Sequence, residues 1–173
     1  GLYSSEFEHV PAINRRTLLR CSLPDRLPPH SRKTAMIFFD YFRSSAGFRV
    51  RIALQLKRLD AERRSVHLRK GEQHDSGYLA VNPQGLVPAL VLDDGAVLTQ
   101  SLAIIEYLDT LSDENPLIPE DSLEAARVRQ LSQLIACELH PLNNLRILNY
   151  LKEPLGHNQG EVNSWYQHWV ESG

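Results

Sequence analysis

The chain has 173 residues, of which 42% are hydrophobic and 23% charged, a composition typical of a globular protein with a buried core. Its net charge of -2 is unevenly distributed: residues 1–35 carry six Lys and Arg against three Asp and Glu, which leaves thirteen against eighteen in the rest. The acidic body argues against a nucleic-acid partner. No apolar run approaches the ~20 residues that span a bilayer, so no membrane role is predicted.

Residues 1–35 differ from the rest of the chain. They hold four prolines and no sustained apolar period, and Met36, the only methionine, directly precedes the first strand-like run. We therefore predict that Met36 is the natural start and that residues 1–35 are a tag or upstream segment outside the fold. Cys21 and Cys137 form neither a CxxC motif nor a framework of several bridges, which favours a reducing, cytoplasmic location.

The first elements after this segment predict a β-α-β unit. Residues 35–42, AMIFFDYF, are aromatic and β-prone, and residues 48–56 repeat apolar side chains at helical spacing. Residues 64–68 alternate apolar and polar side chains, as a second strand does. A polar loop then leads to a short segment at residues 78–81.

A β-β-α unit is predicted next. Residues 87–92 are strand-like, the sequence DDG that follows them is a hairpin signal, and residues 96–98 return as an antiparallel strand. Ser101 stands directly before LAIIEYLDTL and is predicted to be the N-cap of a helix. These elements together predict an α/β domain at residues 36–115.

Residues 116–173 change to an all-helical pattern. Apolar side chains recur every three or four residues through a long helix after Ser122, and Pro141 is predicted to bend it. A second periodic segment contains Trp165 and Trp169 and runs to the end of the chain. Because two helices cannot cover two tryptophans, we predict that residues 116–173 are the start of an incomplete, truncated helical domain. The predicted fold class is therefore α/β plus all-α.

Two adjacent hydroxyls, Ser44 and Ser45, lie where the first strand passes into the first helix. A helix N-terminus presents unpaired N–H groups and partial positive charge, which favour a bound anion, and a hydroxyl there can donate to a thiolate. No cysteine lies at this turn, so the thiol would have to come from a ligand. The alternative is that Ser44 is only an N-cap.

Two further motifs favour a thiol tripeptide as that ligand. The proline in VPAL leaves the backbone of Val87 able to pair with an extended peptide, and Gln100 with Ser101 opens another helix, which is a second anion site. A carboxylate at Ser101, a peptide backbone at Val87 and a thiolate at Ser44 would account for the three parts of such a ligand.

Four motifs carry a family resemblance: YFRSSAGFRVRIAL, VNPQGLVPAL, LTQSLAIIEYLD and HPLNNLRILNYL. In this order they resemble the zeta-class glutathione transferases, in particular the bacterial maleylacetoacetate isomerases. The resemblance covers residues 37–173 and leaves residues 1–35 unexplained. It implies a thioredoxin-like N-terminal domain, an all-helical glutathione transferase C-terminal domain, a homodimer, a cis peptide bond at Pro88 and glutathione as cofactor.

The resemblance also implies a role for individual residues. Ser44 donates to the glutathione sulfur, Val87 binds the cysteinyl backbone, and Gln73 the glycyl region. Gln100 and Ser101 bind the γ-glutamyl end, and His140 with residues 144–146 closes the cleft. The implied catalytic residues are Ser44, Ser45 and Arg49. The implied glutathione-binding residues are Ser44, Ser45, Ala46, Gly47, Phe48, Arg49, Gln73, Val87, Pro88, Gln100, Ser101, His140, Asn144, Leu145 and Arg146.

The activity implied by the resemblance is enzymatic cis-trans isomerisation of maleylacetoacetate to fumarylacetoacetate, in tyrosine and phenylalanine breakdown. The substrate carries carboxylates, and planar guanidinium groups bind carboxylates in a bidentate manner, so Arg43, Arg49 and Arg146 are the candidate substrate cations. The alternatives are maleylpyruvate isomerisation, conjugation or dehalogenation of small electrophiles such as α-haloacids, and a non-enzymatic scaffold.

Three other features concern the chemistry of the site. Ala46 stands where many family members have cysteine, which implies that this second thiol is dispensable, and Gly47 lowers the helix propensity of the segment. The seven histidines form no HxH or HExxH motif, so no metal site is predicted. Cys137 is predicted to be a small buried residue rather than a nucleophile.

Overall fold

The computed structural model describes residues 36–173, which lie in a single compact unit. The predictions that residues 1–35 are a tag or upstream segment, and any role of Cys21, lie outside the described residues. The boundary between residues 115 and 116 stays a prediction. Within residues 36–173, no helix combines the length and apolar character needed to cross a membrane.

The sheet has four strands in the order β2-β1-β3-β4. β1 is parallel to β2 and antiparallel to β3, which is in turn antiparallel to β4. This is the predicted β-α-β unit followed by a β-β-α unit, and the thioredoxin-like fold is confirmed. The strands are β1 Ile37–Asp40, β2 Glu62–Ser65, β3 Ala89–Val91 and β4 Val97–Thr99.

The prediction of a strand at residues 64–68 was two to three residues late. β2 ends at Ser65, and a short 3-10 helix occupies Leu68–Lys70. β2 lies at the edge of the sheet and all four of its side chains are exposed, so apolar alternation does not mark it.

Three helices accompany the sheet: α1 Ser45–Leu56, α2 Ser76–Leu79 and α3 Ser101–Thr110. A second 3-10 helix, Glu72–His74, precedes α2. The core lies where α1 and α3 pack against the sheet, and burial of its apolar side chains is the main stabilising contribution. Its most buried side chains are Phe38, Val50, Ala53, Leu90, Ile104 and Leu108.

The prediction that Ser101 is an N-cap was wrong. The connection between β4 and α3 is a single residue, Gln100, which takes the N-cap position in a left-handed conformation with φ 68°. Ser101 is therefore the first residue of α3, and it is buried. The strand-to-helix junction is too short for a separate capping residue after Gln100.

The helical region begins with α4, whose N-terminus is capped by Asp121 through the N–H groups of Leu123 and Glu124. A π-helix, Leu134–Leu139, follows directly and ends two residues before Pro141, which lies in the next short helix. The bend at Pro141 stays a prediction. The later helix α7 contains Trp165, whose indole N–H donates to the carbonyl oxygen of Leu142 at 2.9 Å. The helices are α4 Ser122–Gln133, α5 His140–Leu142, α6 Leu145–Lys152 and α7 Gln159–Glu171.

Candidate active site

The turn from β1 to α1 places Ser44 at the N-terminus of the helix. The N–H of Ser44 donates to the carbonyl oxygen of Tyr41 at 2.8 Å, and Ser44 takes an extended conformation. Its Oγ accepts a hydrogen bond from the N–H of Gly47 at 3.1 Å. Because this bond uses Oγ as an acceptor, the hydroxyl proton is free to donate elsewhere. The N-cap and the thiolate donor are therefore compatible roles of one side chain.

Ser45, the first residue of α1, connects this turn to the helical region. Its Oγ lies 2.9 Å from Nδ1 of His140 at the start of α5. The prediction that His140 belongs with the serine turn therefore agrees with the geometry, although the two residues are 95 positions apart in sequence. The contact joins the N-terminus of α1 to the start of α5.

Arg49 lies one helical turn after Ser45 and faces the same side of α1. Its guanidinium is half-buried, and its Nε is buried without a hydrogen-bond partner among residues 36–173. Burial lowers the pKa of Arg49 below its ordinary value, and the neighbouring Cys137 partly offsets this effect. Arg49 is thus a cation near His140, and its Nε can still donate a hydrogen bond.

The prediction that Cys137 is buried was wrong. Cys137 lies in the π-helix, and its side chain is exposed and free. Leu134 and Ile135, in the same π-helix, are also exposed. This part of the chain therefore has few packing partners among the described residues.

We expect His140 to be neutral at pH 7. Burial, and then the positive charge of Arg49, lower the pKa of His140 below its ordinary value. As the pH falls, His140 is protonated in the unfolded chain, where histidine titrates at ~6.5, before it is protonated in the folded chain. The stability that neutral His140 contributes is therefore complete above that pH and is lost as the pH falls toward the lower folded pKa.

Nuclear magnetic resonance titration of the His140 ring checks this prediction. Its midpoint should lie below that of the same ring in urea-unfolded chain, and Arg49→Gln should move it upward. A midpoint that Arg49→Gln leaves unchanged would contradict the charge effect.

The loop before β3 contains the predicted peptide-binding residue Val87. The peptide bond between Val87 and Pro88 is cis, as the resemblance implied, and Val87 lies just outside the ladder that begins at Ala89. The carbonyl oxygen of the preceding Leu86 accepts hydrogen bonds from Tyr78 Oη at 2.5 Å and Asn82 Nδ2 at 2.7 Å. These bonds fix the approach to Val87.

Three glutamines lie near this loop or in it, namely Gln73, Gln84 and Gln100. Gln73 Oε1 is buried and has no hydrogen-bond partner in the described part of the chain. Gly85 has φ 61°, and a Cβ there would lie 3.2 Å from the carbonyl oxygen of Gln73, so glycine allows the loop to approach closely. Gln100 Nε2 lies 3.5 Å from Gln84 Oε1. Gln84 was not predicted as a site residue, although it lies inside the quoted motif VNPQGLVPAL.

The remaining predicted site residues lie in the serine turn, in α1, at Pro88 and at the start of α6. Asn144 is the N-cap of α6, where its side chain accepts from the N–H of Ile147 at 3.3 Å, and Leu145 and Arg146 are exposed. Arg43 is exposed in the serine turn and forms no ion pair within residues 36–173. Ala46 and Pro88 are buried, and Phe48 is exposed. Across the described residues there is no group of three or more metal-ligating side chains.

Comparison with known proteins agrees with this geometry. Residues 43–111 match the family model described as glutathione S-transferase, N-terminal domain. The chain is 48% identical over 141 residues to a probable maleylacetoacetate isomerase of Vibrio cholerae, covering 80% of this chain and 65% of the relative. It is 42% identical over 139 residues to a maleylpyruvate isomerase of Ralstonia sp, with coverage of 80% and 65%.

A solved structure gives the same result. A maleylacetoacetate isomerase from Methylobacterium extorquens AM1, with bound malonate and GSH, matches with a TM-score of 0.76 at 41% identity, over 78% of this chain and 63% of that one. Residues 43–111 therefore form a glutathione transferase N-terminal domain. Within that family, the predicted similarity to zeta-class maleylacetoacetate isomerases is confirmed, and the chain spans 65% of the length of the Vibrio relative.

Proposed function

We propose that the protein catalyses the glutathione-dependent cis-trans isomerisation of maleylacetoacetate to fumarylacetoacetate. The observation that carries this proposal is the hydroxyl of Ser44, which accepts the capping bond from Gly47 and keeps its own proton available at a helix N-terminus. Similarity to the Vibrio and Methylobacterium isomerases supports the same reaction.

The residues of the cleft fit glutathione. A tripeptide with two carboxylates, two amides and a thiol offers partners to two of the buried polar atoms that lack them, Gln73 Oε1 and Arg49 Nε. The backbone of Val87 is free of the β3 ladder and can pair with an extended peptide. Gln84 and Gln100 lie together beside the N-terminus of α3, where a carboxylate is favoured.

When bound, glutathione would supply a thiolate that adds to the cis double bond and makes it a single bond. That bond could then rotate, and loss of the thiolate would restore the double bond in the trans form. Ser44 donates its hydroxyl proton as a hydrogen bond to the sulfur, and the N-terminus of α1 favours the sulfur's negative charge. Arg49 orients a substrate carboxylate and stabilises charge that develops on the substrate. His140, held by Ser45, keeps that end of the cleft closed without adding a competing charge.

Maleylpyruvate isomerisation is the second candidate, because the Ralstonia relative is named for it and both substrates are cis dicarboxylate-like compounds. We also propose a cytoplasmic homodimer that uses the exposed apolar side chains of α4 and the π-helix. These are Leu123, Leu131, Leu134 and Ile135.

The test is an isomerase assay on maleylacetone and maleylpyruvate, with and without glutathione, in which total free thiol is followed throughout. Turnover of maleylacetone that requires glutathione and leaves the thiol pool unchanged supports the proposal. Faster turnover of maleylpyruvate supports the second candidate, and stoichiometric loss of thiol identifies a conjugating enzyme. Absence of glutathione binding by calorimetry supports a scaffold. Sedimentation of the same sample tests the dimer.

A further inference from the structure

Asp40 is a buried carboxylate immediately before the serine turn. It is the last residue of β1, and its side chain is 0% exposed. Its Oδ2 accepts a hydrogen bond from Arg51 Nη1 at 2.5 Å and forms an ion pair with Arg63 Nη2 at 2.7 Å. Because an unpaired buried carboxylate is very costly, Asp40 must keep at least one of its two arginine partners.

Arg51 connects Asp40 to the backbone of the turn. Its Nη1 lies 3.5 Å from the carbonyl oxygen of Tyr41, and its Nη2 donates to that of Phe42 at 3.3 Å. The Tyr41 carbonyl oxygen also accepts the N–H of Ser44 at 2.8 Å. Arg51 and Ser44 therefore share one acceptor, and a single guanidinium on α1 fixes the strand end and both carbonyls that lead into the turn.

The ring of Phe48 restricts the orientation of that guanidinium. Arg51 Cζ lies 5.3 Å from the ring centroid of Phe48, one helical turn earlier. A planar, multiply bonded guanidinium cannot be replaced by an ammonium without loss of one or more of these contacts.

Gly47 makes room for Asp40. A Cβ built on Gly47 would lie 1.8 Å from Asp40 Oδ1 and 2.9 Å from Asp40 Cγ, distances at which one side chain must move. The N–H of Gly47 is also the donor that holds Ser44 Oγ. Glycine at this position is thus required by the close approach of Asp40, and the same residue orients the Ser44 hydroxyl.

We propose that Asp40 and Arg51 are positioning residues for Ser44, with Gly47 as the residue that permits their arrangement. Neither side chain needs to touch glutathione. Arg51 holds the turn, Asp40 holds Arg51, and Ser44 then presents its hydroxyl at a fixed distance from the bound sulfur. This inference rests on the proposed function, because the geometry of Ser44 matters only if a thiolate binds there.

Arg63→Gln is a matched control for Arg51→Gln. Arg63 contacts the same Asp40 oxygen, yet it lies on the edge strand β2 and forms no hydrogen bond or ion pair with the turn within residues 36–173. We expect Arg51→Gln and Arg51→Lys to lower kcat roughly ten- to hundredfold, the effect of small misplacement of a catalytic group. Their KM for glutathione should change less than about twofold, because they remove no ligand contact. Arg63→Gln should leave kcat within about twofold.

The ultraviolet absorbance of the thiolate, followed against pH on bound glutathione, separates this proposal from the proposed function. A wild-type chain that binds no glutathione overturns both. If bound glutathione ionises at the same pH in wild type, Arg51→Gln and Arg51→Lys, the positioning role alone is overturned. A thiol that ionises at higher pH in both Arg51 variants, and as in wild type in Arg63→Gln, supports it.

A mutant cycle tests the coupling between Asp40 and Gly47 by stability, independently of catalysis. Gly47→Ala should lower the urea midpoint in the wild-type background and lower it much less in an Asp40→Ala background, where the space is open. If Gly47→Ala lowers the urea midpoint equally in the two backgrounds, the steric part of the proposal is contradicted. This holds even if one of the variants has low stability.

Discussion

Ser44→Ala is expected to lower the rate of glutathione-dependent isomerisation by about 10²- to 10³-fold, the range seen when one preorganised donor to a developing negative charge is removed. The change deletes the only proton that the N-cap of α1 can donate to the sulfur, while the backbone of the turn remains. The measurement is kcat/KM for maleylacetone at saturating glutathione, together with ionisation of the bound thiol, which should shift to higher pH.

The same substitution also removes a helix cap, so a second capping variant is the control. Asp121→Ala deletes the cap of α4, which lies outside the cleft. Both variants should lose about 1 kcal/mol of unfolding free energy. Only Ser44→Ala should lose activity, and Ser44→Thr, which keeps a hydroxyl, should retain more of it. A rate for Ser44→Ala within about twofold of wild type would exclude Ser44 as the donor.

The order of elements was predictable from sequence because each depends on local pattern. Apolar spacing marked α1, and turn chemistry marked the hairpin between β3 and β4. The edge strand β2 was misplaced because it buries none of its side chains. Ser101 was misassigned because only Gln100 separates β4 from α3, so Gln100 takes the N-cap position. The preference of serine for N-caps does not reveal how short this connection is.

Local sequence marked part of the candidate site: a helix N-terminus pointed to Ser44 and a strand-leading proline to Val87. His140 was predicted only through the family resemblance, because its contact with Ser45 joins segments that no local pattern relates. The roles of these residues stay predictions. Asp40 and Gly47 look unremarkable in sequence, since a strand-end carboxylate and a glycine in a helix each have common explanations. Their coupling depends on a close approach that exists only after α1 packs against β1.

Asp109→Asn is expected to lower the free energy of unfolding by about 3 to 5 kcal/mol, the range found when one partner of a buried ion pair is removed. Lys57 Nζ lies 2.8 Å from Asp109 Oδ1, and the Lys57 side chain is 0% exposed. Asp109 also accepts the N–H groups of Leu117 at 2.9 Å and Ile118 at 3.1 Å, in the loop that leads to α4. The variant leaves the Lys57 charge buried without a counter-ion.

Lys57→Met combined with Asp109→Asn should recover most of that loss, because no buried charge remains and the amide oxygen can still accept from the loop. Arg58→Gln is the surface control: its partner Glu114 is exposed, so this ion pair should contribute less than about 1 kcal/mol. Urea unfolding of the four chains measures all of these differences. A double variant no more stable than Asp109→Asn would show that the carboxylate acts through the loop rather than through Lys57.

The pH dependence of the same variants tests the electrostatic origin of the effect. Burial alone would raise the pKa of Asp109, but hydrogen bonds from Lys57 and from the N–H groups of Leu117 and Ile118 outweigh it and hold the pKa below its ordinary value. In the unfolded chain the carboxyl group of Asp109 titrates at ~3.9. Its contribution to stability is therefore complete above that pH and is lost as the pH falls through the lower folded pKa. The difference in urea midpoint between wild type and Asp109→Asn should narrow under acid, and a constant difference would indicate that packing, not charge, is responsible.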